Sequence, residues 1–327
     1  MSDLSSEGSD LDAVLSDVHI NTTFTPIKAG SHALSRFYFT IPQSCSQTAH
    51  EQKLNDIKND PETDEDGDIL VRRSRGSEVE GNVITIEHTL ATPISSVGTQ
   101  VWRGSLLLCD FLVHNEKDFD DCIALELGGG VGLCSIVMAR VAKKVYCTDI
   151  NDVLKICEAN MMRNCDIFKY LSSDNTVMVV RELDFFQSSR VLDGINSDNG
   201  WTKEDKSDLR KLSVIIASDV IYDDNLTDAF LETVEKLFDL NRDVVLYISL
   251  EKRINFTLED LEVVSPAYDY LMTKLEKMTE ICEPRIKVQR ISTDFQQYFM
   301  YDKVQHLELW KIYRNIDLAQ TIGSSCA

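Results

Sequence analysis

Ala124-Leu125-Glu126-Leu127-Gly128-Gly129-Gly130-Val131-Gly132-Leu133 is the stretch on which the fold of this 327-residue chain turns. A short apolar run of strand length leads straight into glycines at 128, 130 and 132, and a helical pattern follows. Glycine permits a tight turn, close approach of the backbone to a ligand, and close contact between helix and strand. Such a strand–turn–helix is the nucleotide-binding corner of an open α/β sheet. The G-x-G-x-x-G pattern of a dinucleotide site would need glycine at 133, where Leu133 stands.

Working outward, strands and helices alternate. Cys122–Leu127 reads as a buried strand, Val131–Val141 as a helix and Lys144–Asp149 as a strand. Val153–Asn164 follows as a helix and Thr176–Leu183 as a strand. After a polar loop from Gln187 to Asp208 come the strand Leu212–Ala217, the amphipathic helix Leu226–Leu240, the strand Asp243–Leu250 and a helix over Pro266–Met278. Upstream, Val83–Ile86 alternates like a strand, and Val101–His114 carries a helical apolar stripe. This alternation predicts a mainly parallel sheet with right-handed crossovers and helices on both faces. The last two strands, Arg285–Ile291 and Val304–Tyr313, have no helix between them and are expected to pair antiparallel. A carboxylate about 20 residues past the first glycine, Asp149, ends the second strand, where it can accept hydrogen bonds from a ribose.

Residues 1–80 differ in character. They hold 15 Asp and Glu against seven Lys and Arg, with the cluster Asp64-Glu65-Asp66-Gly67-Asp68 and no sustained period. Such a composition does not bury enough apolar surface to offset the entropy of ordering, so the region is expected to be largely disordered, with at most a strand near Ala33–Ile41. The expected layout is thus an acidic region over 1–80, an α/β domain over 81–316 and a tail over 317–327. Overall the chain is 43% apolar with a formal net charge of −21. That charge argues against direct nucleic-acid binding, which needs clustered Lys and Arg, and favours a basic protein partner. Nine cysteines form no C-x-x-C pair and several lie in apolar runs, which fits a reducing compartment. No apolar stretch approaches the roughly 20 residues of a membrane span. The six histidines are scattered, with no metal constellation or nucleophilic triad, and no dedicated base is evident.

The terminal antiparallel strands and the acidic-x-G-x-G-x-G spacing tilt the nucleoside site toward S-adenosyl-L-methionine. That molecule has no pyrophosphate and presents a cationic end, which suits Glu126. Three further segments carry a closer likeness. Thr99-Gln100-Val101-Trp102-Arg103-Gly104-Ser105-Leu106, Glu182-Leu183-Asp184-Phe185 and Ala217-Ser218-Asp219-Val220-Ile221-Tyr222 resemble the methyltransferase family 16 group of intracellular protein methyltransferases. The resemblance implies a seven-stranded Rossmann-like methyltransferase sheet, mostly parallel with its last strand antiparallel. It also implies S-adenosyl-L-methionine as cofactor, a protein lysine as methyl acceptor, and nuclear residence. Trp102 would line the cofactor site, with Gly128, Gly129, Gly130 and Gly132 as its glycine turn and Ser218 beside it. Phe185 stands where the family has Trp, keeping a stacking face and losing the indole donor. Asp219 and Tyr222, the family's D-x-x-Y, would sit beside the transferable methyl group, Asp219 orienting the incoming amine. The chain is expected to act as a monomer.

Bland readings stand beside these: Trp102 and Trp310 as core aromatics, Asp149 and Asp219 as turn caps, His88 as a packing residue. Glu251 and Arg253 either rim the substrate channel or pair with each other. A catalytically silent interaction module and a methyltransferase acting on RNA or a small molecule remain the alternatives. Against the RNA reading, no Asn-Pro-Pro-aromatic motif occupies the place of Asp219–Tyr222.

Overall fold

Apolar strands that must bury both faces assemble here into the sheet that their alternation with helices requires. The computed structural model describes residues 13–21, 23–41, 82–170, 177–192, 200–253, 255–256, 263–281 and 286–315. The acidic cluster 64–68 and the tail 317–327 lie outside the described residues. Among those residues, an N-terminal antiparallel sheet comprises β1 (Phe24–Ile27), β2 (His32–Phe39) and β3 (Asn82–His88). The main sheet has seven strands: β4 (Ile123–Leu127), β5 (Lys144–Asp149), β6 (Met178–Glu182), β7 (Val214–Ser218), β8 (Val245–Glu251), β9 (Ile286–Ile291) and β10 (Leu307–Arg314). Their order is β9-β10-β8-β7-β4-β5-β6. β10 runs antiparallel to both neighbours, and the other pairs are parallel.

The principal helices are α1 (Arg103–His114), α2 (Leu133–Met138), α3 (Val153–Arg163), α4 (Asp224–Leu240) and α5 (Pro266–Ile281). Side-chain alternation divides the core. Ala124, Val145, Val214 and Ile216 face the layer of α1 and α2, joined by Leu106, Leu107 and Ile136. Leu125, Tyr146, Ile215 and Ile248 face the opposite layer, joined by Phe230 and Val234 of α4 and Leu271 of α5. Both faces of the central strands are covered, which is why β4 and β7 read as nearly continuous apolar runs. None of the described helices is long and apolar enough to cross a membrane.

The fold departs from the sequence reading in three places. α2 spans Leu133–Met138 rather than Val131–Val141: Gly132 is left-handed (φ +88°), and the Arg140 and Val141 amides reach only three residues back. The polar stretch 187–208 contains two helices, Ser188–Leu192 and Lys203–Leu209, the second opened by a reciprocal Thr202–Asp205 cap. Trp201 anchors it, stacking on Tyr146 and donating to the Glu182 carbonyl.

The largest departure is N-terminal. The strand expected near Ala33–Ile41 is present as β2, but β1 and the segment 14–19, expected to lack structure, are also built into the fold. β2 alternates buried and open positions, putting Ala33, Phe37 and Phe39 against Ile84 and Ile86 of β3. The outer edge of β3 is closed by α3: Asn164 Oδ1 and Asn160 Oδ1 accept from the Thr85 and Glu87 amides, and their Nδ2 groups donate to the same residues' carbonyls. Two asparagines thus stand in for the missing strand. Composition averaged over 80 residues hid the 28 described ones, 13–21 and 23–41, because the acidic residues concentrate elsewhere in the sequence of the region.

Ahead of β1, residues 14–19 lie along the chain that enters α1. The Ser16 amide donates to Gln100 Oε1 (2.7 Å), Gln100 Nε2 donates to the Val14 carbonyl (2.8 Å), and the Val101 amide donates to His19 Nε2 (3.2 Å). His19 stacks on His88, which is buried against Ser35 and Thr89. An Asp17–Arg103 ion pair is also present, with the Asp17 side chain 53% exposed. Exposed pairs contribute at most about 1 kcal/mol, while orphaning buried polar groups costs about 1–3 kcal/mol each. The Gln100 amide is therefore the chief fastener. Gln100→Leu should lower unfolding free energy by about 2 kcal/mol in urea titration and raise amide exchange in residues 14–19; a change under about 0.5 kcal/mol would assign the fastening to another contact.

Candidate active site

β4 delivers its last residues to the sheet's C-terminal edge, and the glycine turn begins there. The Gly129 amide donates to the Thr148 carbonyl, tying the turn to β5. Gly130 is left-handed (φ +55°), and a Cβ on it would lie 2.7 Å from the Gly98 carbonyl oxygen. Its amide donates to Asp149 Oδ2 (2.8 Å), and Asp149 Oδ1 accepts from the Ile150 amide (2.8 Å). A carboxylate has about four lone-pair positions, so Asp149 keeps two for other donors. Burial raises its pKa, and the two amides oppose that rise.

The other end of the edge is built around Asp219. This residue is left-handed (φ +50°), a conformation Asp tolerates better than most residues but still at some cost. Its Oδ2 accepts from the Gly104 amide at the head of α1 (2.7 Å), and its Oδ1 from the Glu251 amide at the end of β8 (2.9 Å). A Cβ at Gly104 would come within 2.5 Å of Asp219 Oδ2, so only glycine allows this approach. Burial raises the Asp219 pKa, while Arg253 and the two amides pull it back. Tyr222 is 39% exposed, and burial, Asp149 and Asp223 all push its hydroxyl pKa up.

Between these two carboxylates lies a cavity of about 270 Å³. Trp102, Gly128, Gly129, Gly130, Asp149, Phe185, Ser218, Asp219 and Tyr222 line it, so nine of the sequence-selected residues are brought together on one wall system. Two are not on the wall. Gly132 sits behind the turn, starting α2. Glu126 is fully buried: its carboxylate accepts from the Ser135 amide (2.9 Å) and the Ser135 hydroxyl, fastening α2 to β4. Burial pushes Glu126 up to about 7, with both Ser135 bonds pulling the other way.

Glu251 and Arg253 do not pair with each other. Glu251 binds Arg103 (3.0 Å), and the Arg253 guanidinium lies over the Trp102 ring (4.6 Å). The Trp102 indole donates to the Val97 carbonyl. That bond holds the segment Ser95–Thr99 as a further wall that the sequence reading missed, along with Ile150, Leu183 and Phe186. Gly98, in a run of small residues just before Trp102, was the available signal. No group of three or more potential metal ligands occurs among the described residues.

A family model described as lysine methyltransferase matches residues 80–265, more than half of the chain. The chain belongs to that family. It is 38% identical over 253 residues to methyltransferase-like protein 22 of Homo sapiens, covering 76% of this chain and 61% of that protein. Against methyltransferase-like protein 22 of Mus musculus the identity is 38% over 236 residues, covering 71% and 59%. Against the protein-lysine methyltransferase METTL21E of Mus musculus it is 29% over 194 residues, covering 55% and 70%. The chain spans about three-fifths of the length of the first two relatives.

S-adenosylmethionine is the cofactor that goes with this family, and the residues present fit it. The cavity offers a carboxylate with open lone pairs, backbone amides at a glycine turn, and the flat faces of Trp102 and Phe185. Two expected outcomes follow from the geometry. Gly130→Ala should weaken binding of S-adenosylhomocysteine by at least about tenfold in calorimetry, since Gly98 and the turn must part to admit the methyl group; unchanged affinity would show that the contact yields freely. For Glu126 the folded pKa of about 7 lies above its ordinary value of 4.5. The folded state therefore binds the proton more tightly, and this group's favourable contribution is full below pH 4.5 and lost as pH rises through 7. The stability gained by the wild type between pH 8 and pH 5.5 should shrink in Glu126→Gln, as read by urea midpoints at both pH values.

Proposed function

We propose that this chain is an S-adenosylmethionine-dependent methyltransferase that modifies a lysine side chain of a protein. One observation supports the reading above the others: Asp149 and Asp219, at the ends of two different strands, border one cavity together with the glycine turn and Tyr222. Ligands of open α/β sheets bind at this edge. The lysine acceptor is supported by the family description and by the printed name of the METTL21E relative.

When bound, S-adenosylmethionine supplies an electrophilic methyl carbon on a sulfonium sulfur. In the proposed arrangement Asp149 takes the ribose hydroxyls on its two remaining lone pairs. The amides of the glycine turn meet the amino acid end, and Phe185 and Leu183 border the adenine. Ser218, Asp219 and Tyr222 frame the entry of the lysine amine. Asp219 keeps one lone pair on each oxygen after its two backbone bonds, enough to hold an amine N–H and aim the nitrogen lone pair. Tyr222, its hydroxyl kept protonated at neutral pH, lines the slot. Burial in the cleft lowers the lysine pKa, which supplies the neutral amine.

In this reading the catalytic domain spans residues 81–316, with the described residues 13–21 and 23–41 packed against it. The net charge of −21 supports a basic substrate protein. Monomeric action and nuclear residence are part of the same proposal.

The test is transfer of radiolabelled methyl from S-adenosylmethionine to the proteins of a nuclear extract. A discrete protein band should be labelled and should survive nuclease. Asp149→Ala should abolish both cofactor binding and label. Asp219→Asn, which presents an amide N–H₂ to a backbone N–H, should lower transfer by about a hundredfold through misplacement of the amine. Label that vanishes with nuclease would move the substrate to RNA, and full label in Asp219→Asn would remove that residue from the reaction.

A further inference from the structure

Three consecutive residues pin the chain by its backbone as it leaves β8. The Glu251 amide donates to Asp219 Oδ1 (2.9 Å), the Lys252 amide donates to the His306 carbonyl (2.8 Å), and the Arg253 carbonyl accepts from the Ser265 hydroxyl. These bonds reach the end of β7, the residue before β10 and the residue before α5. The exposed side chain of Arg253 therefore starts from a fixed point, with less freedom left to lose. Its guanidinium lies 4.6 Å from the centre of the Trp102 ring. Trp102 shares the wall of the cofactor cavity with Asp219 and Tyr222.

The other charges around this point have partners of their own. Arg103, at the head of α1, binds Asp17 (2.7 Å) and Glu251 (3.0 Å). Lys252 is turned toward α5, 4.3 Å from the Tyr268 ring centre. His19, behind Val101, has its pKa lowered to about 3 by burial and His88, and is neutral. From β7, Asp219 takes the Gly104 and Glu251 amides, Tyr222 keeps its proton at neutral pH, and Asp223 caps α4 through the Leu226 amide. Across the cavity Asp149 takes two amides, Asp152 binds Lys155 (2.7 Å) and Asp184 accepts from the Phe186 amide (3.0 Å). Arg253 forms no ion pair with a carboxylate among the described residues, and its charge acts on Asp219.

A carboxylate facing a lysine stabilises the ammonium ion, which has no lone pair with which to attack. A cation near the same point favours the neutral amine. A guanidinium stays charged at every pH the protein survives, so the bias is constant. Because Arg253 is exposed, solvent and salt weaken its field, and an effect of about half a unit to one unit in a neighbouring pKa is the scale to expect.

We propose that Arg253 is a positioning residue for methyl transfer: seated on Trp102, its guanidinium biases the bound lysine toward the neutral amine and so sets the pH range in which the enzyme works. The proposal rests on the methyltransferase reading and adds to it the residue that governs its pH dependence. A purely structural role for Arg253 would run through Trp102. That ring has its own anchor in the indole bond to the Val97 carbonyl (3.0 Å), so the two roles can be separated by experiment.

The test uses the full chain. The protein labelled in the nuclear extract is purified and supplied at saturating concentration with saturating S-adenosylmethionine, so that the initial rate reports the lysine in its bound state. Rates are taken from pH 6 to about pH 10 at constant ionic strength for the wild type, Arg253→Gln and Arg253→Lys. In Arg253→Gln the apparent pKa should rise by about half a unit to one unit, lowering transfer about three- to tenfold at the acid end and leaving the alkaline end within about twofold. Arg253→Lys keeps the charge and should keep most of the wild-type profile. Affinity for S-adenosylhomocysteine, read by calorimetry, should stay within about twofold in both variants. Carbon-13 NMR of the aspartate carboxyls, with Asp219→Asn assigning the signal, follows Asp219 without any substrate; its pKa should rise by about half a unit or more in Arg253→Gln.

A rate that falls equally at every pH, or that falls together with affinity for S-adenosylhomocysteine, would make Arg253 a support for the cleft wall and overturn the proposal. An unchanged profile, or an Asp219 that titrates identically in both forms, would overturn it as well. Transfer that proceeds with an unshifted profile sinks the proposal alone. If the wild type labels no protein, the methyltransferase reading fails and the role of Arg253 in the reaction fails with it, whatever Asp219 does.

Discussion

Two backbone N–H groups that their own elements leave unsatisfied converge on the carboxylate of Asp219. The first belongs to Gly104, in the opening turn of α1, where helical geometry offers no internal acceptor and Trp102 at the cap position has no side-chain acceptor to lend. The second belongs to Glu251, at the end of β8. An anion at a helix N-terminus is favoured by the helix dipole as well as by the hydrogen bond itself. One side chain therefore joins the end of β7, the end of β8 and the head of α1. Trp102 and Arg103 sit next to this junction, so the Trp102 wall of the cofactor cleft inherits its position from it. The left-handed backbone at Asp219 and the bare α-carbon of Gly104 are costs the fold accepts to bring these atoms within 2.7 Å.

Asp149 repeats the device on the other side of the cleft. It too receives two backbone amides, one from the glycine turn and one from the residue after it. In each case half of the carboxylate's hydrogen-bonding capacity builds the fold and half is left toward the cavity. A site made this way is rigid before any ligand arrives, because the groups that would touch the ligand are already fixed by the scaffold. The buried Glu126 has a different task. Its contacts run to Ser135 rather than to the cavity, and they hold α2 against β4 so that the turn between them keeps its shape.

Legibility in the sequence followed how local the cause was. β5 was readable to the residue and α1 to within two, because period, apolar runs and glycine are local signals. The antiparallel pairing of β9 with β10 was legible because the last two strands lack a connecting helix. Asp149 could be selected because it ends a strand at the ligand edge, and Asp219 and Trp102 because their segments resemble the family's. What escaped depends on partners far along the chain. Nothing near Gln100 announces that it will bind Val14 and Ser16, and nothing near Asn160 and Asn164 shows that they will close the edge of β3. Glu126 was read as facing the ligand because it adjoins the glycines, yet the pleat of β4 turns its side chain toward α2. Period-2 alternation contains that information, but only once it is known which layer lies on which face.

On the proposed reaction, the cleft must reconcile two opposed demands. Carboxylates draw in a lysine as its ammonium ion, and the same carboxylates stabilise the charged form that cannot attack. Desolvation works against that charge, and so does a nearby cation. The structure places such a cation: Arg253 lies over the Trp102 ring, and its charge acts directly on Asp219, pulling down a pKa that burial raises. A guanidinium held there weakens the field an amine feels at Asp219 without occupying the carboxylate, whose bonds go to backbone amides. Outside this point, Asp17 and Glu251 share the Arg103 guanidinium, so those carboxylates are matched by a cation of their own. On the proposed reaction, desolvation in the cleft and the Arg253 charge act together to favour the neutral amine.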